Sequence, residues 1–71
     1  MNTISKPDQR SITVVAYYVS TAIAYAHSGM AFDAGRCVGQ ALVHAVQIDD
    51  EGARERAQLL TDTAERVARG R

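Results

Sequence analysis

SITVVAYYVSTAIAYAHSGMAF, residues 11–32, is an unbroken run of 22 positions without a formal charge in a chain of 71. How this run is read decides the fold. The β-branched residues Ile12, Thr13, Val14, Val15 and Val19 suggest a strand, but no period of two appears. Ala16, Ala22, Ala24, Ala26 and Ala31 favour helix. At helical spacing the apolar residues fall into two adjacent stripes. Ile12, Ala16, Val19, Ile23, Ala26 and Met30 form the first. Val15, Tyr18, Ala22, Tyr25, Gly29 and Phe32 form the second. Together they make an apolar face wider than one neighbouring helix needs. A membrane span is not expected, because Thr13, Tyr17, Tyr18, Ser20, Thr21, Tyr25, His27 and Ser28 interrupt the run. A cleavable leader is not expected either: Pro7 and Asp8 stand between Lys6 and Arg10, the would-be basic start.

Upstream of the run, Ser5-Lys6-Pro7-Asp8 has the chemistry of a helix start. Serine caps, proline suits the first turn, and Asp8 stands where a capping-box acid belongs. The first helix is therefore predicted over about 6–28, with Gly29 as its stop. Downstream, Phe32-Asp33 reads as a hydrophobic staple and an N-cap, opening a second helix over about 33–47. Its expected inner stripe is Ala34, Val38, Ala41, Ala45 and Ile48, widened by Leu42 and Val46. Gly35 and Gly39, four apart, either mark a side where another backbone can come close or are simply tolerated in a weak helix. Asp49-Asp50-Glu51 opens a third helix over about 50–69. Its acidic start and basic end (Arg66, Arg69, Arg71) both suit the helix dipole. The pairs Asp62–Arg66 and Glu65–Arg69 lie at i,i+4. The expected buried stripe is Ala53, Ala57, Leu60, Ala64 and Val67.

The architecture predicted is all-α, a single domain of three helices spanning 1–71. Helices 2 and 3 fold on the first stripe of helix 1. The second stripe, through Val15, Tyr18, Ala22, Tyr25 and Phe32, is left to face a second copy in a homodimeric bundle. A chain this short buries only roughly 60% of its unfolded surface and is marginal alone. Cys37 is the only cysteine, so no disulfide can form within the chain, and a lone thiol points to a reducing, cytoplasmic setting.

Chemistry is sparse. Eight basic residues balance eight acidic ones, which argues against a surface built for the nucleic-acid backbone. The third helix starts with acids where a DNA-recognition helix needs basic or amide side chains. Cys37 and His44 stand seven residues apart, about two helical turns, too far to act as nucleophile and base. With His27 they are an improbable metal set, because the tight ligand pairs of metal sites are missing. No phosphate loop, nucleophile elbow or cofactor motif is present. The expectation is a non-enzymatic protein–protein interaction module, without metal or cofactor. It would self-associate and occlude or bridge another, unidentified protein. Small helical chains of this size are common among phage and plasmid accessory or inhibitor proteins that dock on host proteins. Two alternatives stay open: a dimeric DNA-binding regulator using Arg54 and Arg56, and a metal- or haem-binding protein using His27, Cys37, His44 or a tyrosine.

Overall fold

The computed structural model describes residues 3–70. Three helices follow in order, α1 (Lys6–His27), α2 (Ala31–Ala45) and α3 (Glu51–Ala68), in a slender bundle of 42 × 17 × 16 Å. No helix among the described residues is long and apolar enough to cross a membrane. The helix boundaries lie within two residues of those read from the sequence. Arg71, expected to favour the basic end of α3, lies outside the described residues.

Ser5 caps α1, its hydroxyl accepting from the Asp8 N–H at 3.3 Å. Inside the helix, Thr13 and Thr21 donate to the carbonyls of Gln9 and Tyr17 at 3.0 and 2.8 Å. Hydroxyls bonded back in this way are satisfied by their own helix and need no outside partner. The helix ends in a Schellman turn. Gly29 N–H donates to Ala26 O at 3.1 Å, and Met30 N–H to Tyr25 O at 2.8 Å. This turn needs a left-handed residue, and Gly29 supplies it at φ 76°. α2 then starts at Ala31, two residues earlier than expected. Asp33 accordingly sits inside the first turn, and the N-cap position is held by Met30, which makes no side-chain cap. Glycine leaves the left-handed turn so compact that α2 can begin without the staple-and-cap opening expected at Phe32-Asp33.

The second reversal, residues 46–50, is held by side chains. Asp50 caps α3 by accepting from Ala53 N–H at 2.9 Å. Arg54 donates to the carbonyls of Ile48 at 2.9 Å and Asp49 at 3.4 Å. Asp8 does not close a capping box on its own helix. Asp8 is 4% exposed, and its carboxylate accepts from the backbone N–H groups of Asp49 and Asp50, at 3.0 and 2.9 Å. The first turn of α1 is thereby fastened to the start of α3, so that α1 and α3 set off from the same end of the bundle. Beside this clamp, Ile48 is among the largest fully buried side chains.

The core is small in volume. Val15, Val19 and Ala22 of α1 meet Ala41 and Ala45 of α2, Ile48 of the turn, and Ala53, Ala57 and Ala64 of α3. Alanine at most crossing points lets the helix backbones approach closely. The α2 stripe runs as expected through Ala34, Ala41, Ala45 and Ile48, but Leu42 and Val46 stand outside it and are exposed. On α3 the expected stripe holds at Ala53, Ala57 and Ala64, while Val67 is only half-buried and Leu60 is corrected. Leu60 is 51% exposed, and Thr61 is buried in its place with its hydroxyl donating to Ala57 O at 2.9 Å. The back-bonded hydroxyl needs no further partner, so a threonine fits between alanines where a leucine would push the helices apart. Of the two expected ion pairs, Glu65–Arg69 forms at 2.7 Å on an open surface.

Removing the Asp8 carboxylate strands two backbone donors, each costing about 1–3 kcal/mol when buried without a partner. Asp8→Ala is therefore expected to lose about 2–3 kcal/mol, a fall in Tm of about 10–20 °C for a chain of this size. Asp62→Ala, at an exposed position, stays within about 0.5 kcal/mol. Thermal unfolding followed by far-UV circular dichroism compares the two. Equal melting temperatures would refute the clamp.

Candidate interaction surface

The five residues expected to form one interface are dispersed by the fold. Val15, at 1% exposure, and Ala22 lie in the core of the single chain. They cannot also face a second copy, and the expected surface is corrected on both. The inward direction of α1 lies between the two stripes, along Val15, Val19 and Ala22, because α2 packs on one flank of that ridge and α3 on the other. Tyr18 and Tyr25 are half-buried on the α2 flank. Phe32 leaves the line altogether: the Schellman turn at Gly29 breaks the helical register before it, and it emerges on α2 with 77% of its surface exposed.

Tyr18 and Tyr25 line a cleft of about 440 Å³ between α1 and α2, together with Asp33, Arg36, Cys37 and Gln40. The Tyr18 ring stacks on His44, centroids 6.0 Å apart and planes inclined by 16°. Tyr17 meets the same ring edge-on at 5.3 Å. This aromatic group fastens the α1–α2 hairpin from outside the alanine core. Because Tyr25 belongs to the hairpin as well as to its surface, a charge placed there disturbs both.

The candidate metal ligands stay apart in role. His44 lies under Tyr18, the half-buried Cys37 thiol faces the cleft, and His27 is exposed at the end of α1. Among the described residues no group of three His, Cys, Asp or Glu side chains is placed to hold a metal ion. Arg54, the arginine put forward for DNA contact, has its guanidinium engaged by the carbonyls of the α2–α3 turn. Arg56 is exposed beside Ala53.

A mostly apolar surface covers the outward side of α2, where Leu42 and Val46 were expected to widen the core. Phe32, Gly35, Gly39, Leu42, Val43 and Val46 recur at steps of three and four and are all exposed. A Cβ added at Gly35 or Gly39 would meet nothing within 4 Å, so the glycines form an open notch between flanking large side chains. Arg36, exposed between Phe32 and Gly39 on the same side of the helix, brings a charge into this strip. The outward side of α3 is the opposite case, with Glu51, Glu55, Asp62, Arg66 and Arg69 around the exposed Leu59. The spacing of the α2 strip was present in the sequence. It was hidden because Leu42 and Val46 fit a widened core stripe equally well until α3 was seen to pack elsewhere. Set against protein families, characterised proteins and solved structures, the chain matches none.

Tyr18→Ala removes a half-buried ring and its stack on His44. The expected loss is about 2 kcal/mol, against under about 1 kcal/mol for Tyr17→Ala at a mostly exposed site. Urea unfolding midpoints decide this, and a larger loss at Tyr17 would overturn the assignment of the hairpin contact.

Proposed function

We propose that the chain is a non-enzymatic helical module that associates with itself and, in that form, docks on another protein. One observation supports this above the others: large and small apolar residues are distributed in reverse. Alanine occupies most of the interior, while Phe32, Leu42, Val43, Val46, Leu59 and Leu60 stand exposed. Single exposed apolar residues need no explanation. A mostly apolar strip along one helix is what an interaction site presents. Tyr18 and His44 are taken up by the hairpin, Asp50 by the α3 cap and Asp8 by the clamp. A marginal core in a short chain adds a reason for association, because a second copy is one of the few ways such chains gain stability without disulfide or metal. A twofold dimer is the commonest such assembly, and an accessory or inhibitor role toward a larger protein accords with a surface rich in contacts and poor in chemistry.

Light scattering after size exclusion, over a hundredfold range of concentration, measures the first half of this reading. The expected mass rises from that of the 7.7 kDa chain toward a whole multiple of it. A constant 7.7 kDa throughout would overturn self-association.

A further inference from the structure

The outward strip of α2 is a surface that a second copy of the same helix fits. We propose that two chains associate through antiparallel α2 helices crossing at Gly39, an assignment that rests on the self-association proposed above. A twofold axis at Gly39 sets Gly39 against Gly39, Gly35 against Val43, and Phe32 against Val46. Large side chains then meet the glycine notch in both directions, since every contact is made twice. The notch is open, with nothing within 4 Å of a Cβ built at either glycine, so the two backbones can approach closely at the crossing.

The helix dipoles favour the same orientation, since two helices side by side set opposite dipole ends together when they run antiparallel and like ends together when they run parallel. The area is also of the right order. Phe32 is 77% exposed, and Leu42, Val43 and Val46 are each about half exposed, giving roughly 400 Å² of apolar side chain per copy. A pair buries about twice that, and the glycine backbone and the Arg36 stem bring it to about 1,000 Å², the lower bound for a specific interface. Association in the micromolar range is expected from an interface at that bound.

Val43→Glu puts a charge at the interface without touching the core, and glutamate is at least as good a helix former as valine. The expected outcome is unchanged far-UV circular dichroism at low concentration and a midpoint of association raised at least tenfold. Two cysteine variants, each carrying Cys37→Ser to remove the native thiol, test orientation. Gly39→Cys lies on the axis and should form a covalent dimer under mild oxidation. Gly35→Cys should not, because eight residues, about 12 Å along the helix, separate each Gly35 from the position facing its own copy. If wild type associates and Val43→Glu associates equally well, the strip is misplaced while self-association stands. If Gly35→Cys cross-links as readily as Gly39→Cys, the antiparallel crossing is wrong. If wild type is monomeric throughout, self-association itself fails and this surface fails with it, leaving the strip to a different protein.

Discussion

A single buried carboxylate holds the two ends of this fold in register. Asp8 belongs to the first turn of α1, yet its oxygens accept the N–H groups of Asp49 and Asp50 where α3 begins. It thus stands at the positive ends of two helix dipoles at once. Burying a carboxylate is costly unless its lone pairs are bonded, and here backbone donors satisfy both oxygens. The compensation is directional. It is lost if α3 starts one residue away or if α1 shifts along its axis, so the clamp sets the position of α3 against α1. That is important because the rest of the interface between these helices is mostly small side chains, which slide over one another with little penalty. Ile48, buried beside the clamp, and Arg54, binding the carbonyls of the same turn, add a hydrophobic and a polar fastening at one place.

From that register follows a bundle whose interior is made of small side chains. Alanine allows the helix axes to come close and the backbones to gain dispersion contacts, but each buried methyl removes little area from water. Larger side chains would separate the helices and pull the Asp8 oxygens away from their donors. The chain's leucines, its phenylalanine and several valines are therefore displaced outward. Leu59, on the charged back of α3, is isolated among Glu55, Asp62 and Arg66, and Leu60 borders a groove with Ile12 and Ala16 of α1. Those on α2 adjoin one another across two glycines and form a surface.

Much of this was legible in the sequence because it depends on local rules. Ser5, Gly29 and Asp50 mark helix ends through backbone chemistry that needs no tertiary context. The three helices and the inner faces of α2 and α3 follow from a period of 3.6. What was illegible depended on phase or on distance in the chain. Two apolar stripes on α1 could each have been the inner one, and the structure uses the ridge between them. That spends Val15 and Ala22 in the core, while Phe32 is turned away by the reversal at Gly29. Thr61 was passed over for Leu60 because hydrophobicity ranks leucine higher. Fit between alanines ranks threonine higher once its hydroxyl is bonded to the carbonyl four residues back. Asp8 reads in the sequence as a capping-box acid, but its carboxylate serves a contact across 41 positions instead, which no local pattern carries.

The same interior that makes the chain foldable makes it weakly stable alone, and this connects its surface to its folding. Net stability is a small difference between burial and the entropy of ordering the chain. A core with two large fully buried side chains, Ile48 and Val15, gives little margin. Any occupant of the α2 strip that binds only the folded chain adds to stability by mass action. Filling the core with larger residues would achieve the same end within one chain, but only by spreading the helices and breaking the Asp8 register. An alanine interior closed by a carboxylate clamp therefore forces the remaining apolar area outward, and the natural place for added stability is the surface of α2.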